Sequence, residues 1–537
     1  MTSQAPSQLE PDVDVIVVGA GMGGIYAVHR FTSEGFTVAG FEGAPEVGGV
    51  WYHNRYPGAR VDVESYDYCY FDPELYREWK WTERYPAQPE ILAYLNHAAD
   101  RWDVRRHFSF DTWVTGAQWD PAANLYRVTT DQGQTVTGRY LVMTTGQLSK
   151  ARKPNFPGLD DFEGEWVQSS HWPQREVAIK GRRVAVIGTG SSGSQVITAV
   201  APEAEHLHVF QRTPNYGIPA RNAPLDQQKY AEYAETVEQD WQQILAHPAG
   251  ARMPMFEGMS TDYTPEQQRE VLERRWQIGG QAINATFLDQ GRDRAANDVV
   301  ANFVRDKVRE IVKDPEVAEK LVPDAYPIGT RRLAVTTDYY ETYNRDNVTL
   351  VDVRDNPIER ITPKGILTAD GEEHQFDLII FALGFNAFTG ALDAANIRNE
   401  EGKQPSDYWK RGPKTYLGLT TRGFPNLFIV TGPGSPSVLA NMIVGNVHHA
   451  DFIAGLLAHM RARGHVRVEP REDAQEQWSS HVQEVAPPIR LATENYMVHV
   501  NADDGSRIFI PYAGGLNRYV DVVNEVVENG YEGFDFQ

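Results

Sequence analysis

Two glycine turns, a few acids and three arginines hold most of the chemistry this sequence can perform. The stretch Gly19-Ala-Gly-Met-Gly-Gly24 sets glycines at Gly19, Gly21 and Gly24. The first allows a tight turn and the second lets backbone approach a pyrophosphate. The third lets a helix pack closely on a strand, with the helix N-terminus facing the anion. Glu42 ends the next apolar run, where its carboxylate can accept hydrogen bonds from an adenosine ribose. Gly188-Thr-Gly-Ser-Ser-Gly193 repeats the spacing, so Gly188, Thr189, Gly190, Ser191, Ser192 and Gly193 form a second candidate phosphate cradle. There the next run ends in Gln211-Arg212-Thr213. A guanidinium suits a 2′-phosphate, which an acid would repel, so the second turn is expected to take NADPH.

The elements that must position these residues are legible as short apolar runs. Asp14–Val18 reads as a buried strand, Ile25–Phe31 as a helix and Phe36–Phe41 as a second strand; Arg183–Ile187 and Leu207–Phe210 repeat the strands. After Glu42, the segment Gly48–Asp62 holds Gly49, Val50, Trp51 and Asp62. A glycine pair there carries the chain back across a flavin nucleotide, and the aromatic residues read as pocket wall. Tyr140–Thr145 is the return strand of an FAD domain, which would set Gln147 and Leu148 near the isoalloxazine. Asn426–Val430 runs into Thr431-Gly-Pro-Gly-Ser435, a low-bulk turn, and Val438, Leu439 and Met442 would line the space beyond it. From Ala223 to about Asp324 the pattern turns helical: Thr264-Pro-Glu-Gln267 is an N-cap with Pro at N1, and Val300, Val304, Val308 and Ile311 lie at helical steps.

The fold class is therefore α/β, with two Rossmann-like dinucleotide-binding domains and a helical insertion. Residues 1–148 and 386–537 would form the FAD-binding domain, 149–222 and 331–385 the NADP-binding domain, and 223–330 the insert. Phe162–Pro173, which carries Phe162, Trp166 and Trp172, joins the two glycine turns and reads as a packed connector rather than a loose linker.

Composition narrows the chemistry further. The 537 residues carry a net charge of −22, which repels nucleic acid and anionic membrane surfaces. The longest apolar run, Val15–Val28, is broken by glycines and too short for a membrane span. No signal sequence or metal-ligand pattern is evident; a monomer in the cytoplasm is expected. The single cysteine, Cys69, cannot supply the pair that a dithiol reductase needs. Electrons passed from NADPH to FAD then have O2 as their remaining acceptor.

Against that background the chain resembles the Baeyer–Villiger monooxygenases nearly end to end. The matching motifs include GGVWYHNRYPGARVD (Gly48–Asp62), GQLS (Gly146–Ser149), GTGSSG (Gly188–Gly193), FQRTP (Phe210–Pro214), YPIGTRRL (Tyr326–Leu333) and TGPGSPS (Thr431–Ser437). The resemblance implies an NADPH- and O2-dependent conversion of ketones to esters or lactones through a C4a-peroxyflavin, with sulfoxidation as a near variant. It makes Arg332 the active-site cation and Asp62 the carboxylate that holds it. Arg212, Thr213 and Arg331 become the 2′-phosphate contacts, and Gln147 a neighbour of the flavin edge. The chain departs from the family pattern at Gln168, where the linker histidine belongs, with His171 three residues later. Tyr496 stands for a loop tryptophan, and Ala382-Leu-Gly-Phe-Asn386 for the hinge sequence ATGFD. Glutamine cannot carry a proton charge, so a second expectation is an uncoupled NADPH oxidase that releases hydrogen peroxide.

Overall fold

The computed structural model describes residues 10–537. The first glycine turn leaves the strand Val13–Val18, the centre of an eight-stranded mixed sheet. Its β-branched residues Val15, Ile16 and Val17 are fully buried, which explains why an unalternating apolar run forms this strand. It pairs in parallel with Val38–Phe41 on one side and Thr135–Met143 on the other. The far edge of Thr135–Met143 pairs first with antiparallel Leu125–Thr130 and then, near its end, with parallel Leu427–Ile429. The turns Gly19–Gly24, Gly146–Gln147 and Thr431–Gly434 thus leave the same end of three neighbouring parallel strands, where open α/β sheets bind ligands.

The second glycine turn belongs to a five-stranded, wholly parallel sheet in the order Val348–Asp352, His206–Gln211, Arg183–Ile187, Leu378–Phe381, Glu165–Gln168. The joint expected at Phe162–Pro173 is packed, but it is also a strand: Glu165–Gln168 forms the edge of this sheet. Phe162 and Trp172 are buried, whereas Trp166 is 43% exposed and meets Phe381 edge-on. Trp172 donates its backbone N–H to the His53 carbonyl at 3.3 Å, which ties the joint to the short helix Val50–His53. The two chain crossings between the sheets run side by side: Asn386 N–H bonds Lys150 O at 2.7 Å and Arg152 N–H bonds Gly384 O at 3.0 Å.

The helical stretch contains Gln227–Leu245, Pro265–Ile278 and Arg294–Ile311. The capping box read from Thr264 and Gln267 is present, and Val300, Val304 and Val308 are fully buried on one face. A two-stranded ribbon, Gly217–Pro219 against Ala334–Thr336, closes the stretch at its base. Among the described residues no helix is long and apolar enough to cross a membrane.

Candidate active site

The first turn is closed by close backbone packing and by the Thr144 hydroxyl, which donates to the Gly19 carbonyl at 2.8 Å. A Cβ on Gly24 would be driven into the Gly19 carbonyl, and one on Gly49 would stand 2.9 Å from the Gly21 Cα. The segment Gly48–Gly49 therefore lies directly on the turn. Glu42 is buried beside it and accepts hydrogen bonds from the N–H groups of Ala20 at 2.6 Å and Ala44 at 2.8 Å. Burial pushes this carboxyl above the usual range, and those N–H donors oppose the shift. Trp51 is buried, with its indole N–H on the Tyr68 hydroxyl at 2.9 Å. Val50, by contrast, is 43% exposed.

Gln147 donates its amide to the Thr431 carbonyl, and its other amide atom, Oε1, is buried with no partner. A buried acceptor without a donor calls for a ligand group. This unpartnered oxygen, the bare glycine turn and the adjoining acid fit FAD.

The second turn repeats the closure, with Gly193 packed on the Gly188 carbonyl. At Gly190 nothing lies within 4 Å of the place a Cβ would occupy, so the middle glycine faces open room for a pyrophosphate. Ser191 and Ser192 open the helix Ser191–Val200. Thr189 Oγ1 donates to Thr213 O at 3.2 Å, and Arg212 is exposed at the end of its strand. Arg331 lies 4.4 Å over the Tyr326 ring. These residues fit NADPH. Tyr56 connects the two turns, with its hydroxyl 2.9 Å from Gln195 Oε1 and 3.1 Å from Ser192 Oγ on the second-turn helix.

Arg332 and Asp62, far apart in sequence, form a two-pronged ion pair. Nη2 reaches Oδ1 at 2.8 Å, Nε bonds Oδ2, and Nη1 donates to the Val438 carbonyl at 2.9 Å. Burial alone would ease the guanidinium toward neutrality, but Asp62 outweighs it and raises its pKa. A fixed cation with 33% of its side chain exposed thus lines a cavity of about 280 Å³. Asp62, Arg331, Val438, Leu439 and Tyr496 line the same cavity. Leu148 and Met442 are not on its lining: Leu148 is 39% exposed after the Gly146 turn, and Met442 opens the helix Met442–Arg463 behind its Asn441 cap.

Several groups here carry no sequence signal of their own. Arg490 lines the cavity and donates to the Gly329 carbonyl at 2.8 Å. Burial raises the Tyr496 hydroxyl, and Arg332 and Arg490 pull it back. Gln168 donates to the Arg152 carbonyl at 2.7 Å, while His171 packs its ring 5.5 Å from that of His53. Behind the Thr431 turn, His449 accepts the Thr431 N–H on Nδ1 at 2.8 Å. The Tyr519 hydroxyl is 2.9 Å from His449 Nε2 and donates to Leu417 O at 2.6 Å, so Nε2 holds the proton. This contact stabilises Thr431 at φ 53°, a left-handed conformation unusual for a β-branched residue.

Both His449 and its neighbour His448 are held neutral by burial, with His448 lowered to about 4. The unfolded chain then binds more protons than the folded one between the ordinary histidine value of 6.5 and about 4. Stability is full above 6.5 and is withdrawn as pH falls through that window. The thermal midpoint is expected to be lower at pH 5 than at pH 7, by calorimetry. The difference should shrink in His449→Asn, whose amide oxygen still accepts the Thr431 N–H without titrating.

Comparison with known proteins places this geometry among flavoproteins. A family model described as flavin-binding monooxygenase-like matches residues 12–221. A Baeyer–Villiger monooxygenase of Pseudooceanicola batsensis is 41% identical over 97% of this chain and 95% of its own length. Among solved structures, an oxidised steroid monooxygenase bound to NADP superposes with a TM-score of 0.93 at 45% identity, covering 98% of this chain and 99% of the other. A complex of the enzyme OTEMO with FAD and NADP gives 0.95 at 37% identity, covering 98% and 100%. These relatives lend no support to the uncoupled-oxidase expectation drawn from Gln168.

Proposed function

This chain belongs to the Baeyer–Villiger monooxygenases, and we propose that its active site is arranged around the cation Arg332, with Asp62 as the residue that aims it. The chain is an FAD- and NADP-dependent monooxygenase that converts ketones to esters or lactones. In balance, ketone, O2, NADPH and a proton give ester, water and NADP+. Bound FAD supplies the oxygen-activating chemistry, with NADPH as its source of electrons.

The protein's own part is charge and orientation. Arg332 presents a positive charge that cannot be lost to a developing oxyanion, because guanidinium does not deprotonate in this range. The two-pronged contact with Asp62 fixes its plane, and the Val438 carbonyl fixes its third edge. Lysine could not make that set of bonds. Val438 and Leu439 turn apolar groups to the same cavity, beside the charge. Tyr496 and Arg331 stand on the cavity where a nicotinamide cofactor would enter.

FAD is assigned to Gly19, Gly21, Gly24, Glu42, Gly49, Val50, Trp51 and Gln147. NADPH is assigned to the Gly188–Gly193 turn, Arg212, Thr213 and Arg331. The three-part division of the chain given above follows the same assignment, with the helical insert covering the cavity. We assign the working unit to one chain in the cytoplasm, whose reducing environment the single cysteine suits.

The observation that carries this reading is the Arg332–Asp62 pair on the cavity wall. It is tested with phenylacetone: NADPH and O2 should yield benzyl acetate in amounts that match the NADPH consumed. Hydrogen peroxide as the main product with every ketone offered would refute it. Arg212→Ala should raise KM for NADPH about tenfold to a hundredfold, the loss of one charged hydrogen bond, and leave NADH nearly unaffected. Steady-state kinetics with both cofactors checks it.

A further inference from the structure

The cavity wall is apolar where it meets water. Met255, Phe256 and Ile278 are 57%, 38% and 40% exposed, and all three line the same cavity as Arg332. The backbone of Met255–Gly258 is held at several points, and Ile278 ends the helix Pro265–Ile278. Arg275, with 3% of its side chain exposed, donates to the Met255 carbonyl and pairs with Glu257 at 3.1 Å. Glu257 N–H bonds Thr286 O at 2.9 Å, and Leu288 N–H bonds Gly258 O at 2.8 Å. Both Arg275 contacts use Nη2, while Nε and Nη1 are buried without a partner among the described residues, so Arg275 fixes the Met255 carbonyl through a single nitrogen. Met259 and Leu288, 43% and 56% exposed, extend the apolar surface along the same strip.

A fixed ledge of exposed methionine, phenylalanine and isoleucine beside a ligand cavity is suited to an apolar body of variable shape. Glu64 and Arg84, also on the lining, are paired with each other at 2.6 Å and offer no free charge to an ionic tail. We propose that the preferred substrates are ketones whose apolar body is long enough to leave the cavity and lie along Met255, Phe256 and Ile278, medium- to long-chain or polycyclic, rather than ketones of a few carbons. The inference rests on the reading of this cavity as the oxygenation site.

The test uses the full FAD-loaded chain with 2-butanone, 2-hexanone and 2-decanone. Calorimetric titration of each ketone gives Kd, and ester analysis with NADPH gives kcat/KM. Kd for 2-decanone should be at least about tenfold tighter than for 2-butanone, since each buried methylene adds to affinity, and kcat/KM should rise in parallel. In Met255→Ser/Phe256→Ser, the preference for 2-decanone over 2-butanone should fall about tenfold, with flavin spectrum and thermal midpoint retained. A flat series, or an unchanged preference in the variant, overturns the proposal. So does a change in solution mass of the variant with its preference intact, which would assign the ledge to contact between copies. Failure of every ketone to give ester, with the binding trend intact, would instead sink the oxygenation reading.

Discussion

Arg332→Ala is expected to leave NADPH able to bleach the yellow flavin without air, and to cut ester formation roughly a thousandfold once air is admitted. The magnitude is that of removing one preorganised charge donor from the place where negative charge develops. The two halves of the result separate because the groups they need are separate. The proposed NADPH cradle is the Gly188–Gly193 turn with the strand end at Arg212, and the proposed flavin turn packs Gly24 and Gly49 on the backbone of Gly19 and Gly21. None of these depends on the guanidinium. What does depend on it is the cavity, where Arg332 bonds Asp62 and Val438 O. Alanine also leaves Asp62 facing the cavity with Gln281 Nε2, at 3.4 Å, as a weak substitute partner. A carboxylate left without its cation would repel any oxyanion formed beside it, so the loss should exceed that of neutral truncation. Asp62→Asn/Arg332→Ala should then recover part of the lost rate. Anaerobic stopped-flow absorbance and product analysis read the two halves independently. Unchanged ester yield, or failure of flavin reduction, would remove Arg332 from the role assigned to it.

Much of this site was legible because its chemistry is local in sequence. A glycine turn announces itself by spacing, and the acid or arginine that follows it stands at the end of the very next strand. Glu42 and Arg212 were proposed as nucleotide contacts for that reason. The capping box at Thr264 and the valine stripe from Val300 to Val308 were equally readable, since both are contacts along a single helix. The Arg332–Asp62 pair came from family resemblance, because no rule of spacing connects residues so far apart. Arg490 and the Arg275 brace escaped notice because each acts on a carbonyl, and any residue can supply a carbonyl. His449 escaped for a similar reason: its partners are a backbone N–H and a tyrosine from another helix. Leu148 and Met442 were expected in the pocket from adjacency in sequence, but a sharp turn and a helix start direct the chain away from it. The joint at Phe162–Pro173 was seen to pack, but not to be an edge strand, since edge pairing is set by the neighbouring Leu378–Phe381 and not by its own sequence.

The two glycine turns make a paired prediction that the resemblance alone does not. Each has its third glycine pressed against the carbonyl of its first: a Cβ on Gly24 would overlap Gly19 O and stand 2.8 Å from Gly19 C and 3.0 Å from Thr144 Oγ1. A Cβ on Gly193 would overlap Gly188 O and stand 2.8 Å from Gly188 C. In both cases the obstacle is backbone, which cannot rotate aside, so the helix must lift from its strand and the turn must open. Such overlaps typically cost about 1–3 kcal/mol or more, here applied at the point where N–H groups must converge on phosphate. Gly24→Ala should therefore purify with little or no yellow colour and recover little flavin on dialysis against FAD. Gly193→Ala should remain yellow, because its turn lies in the other sheet, but should need about a hundredfold more NADPH to bleach. Circular dichroism and thermal midpoints establish that both variants fold. The contrast is the test: if both variants lose flavin, or both keep normal NADPH reduction, the two sites are not the separate cradles that the backbone closure describes. If each loses only its own nucleotide, then the electrons cross the joint between the sheets, and Tyr56, bonded to Ser192 and Gln195 across it, lies on the contact that must hold the two cradles in register.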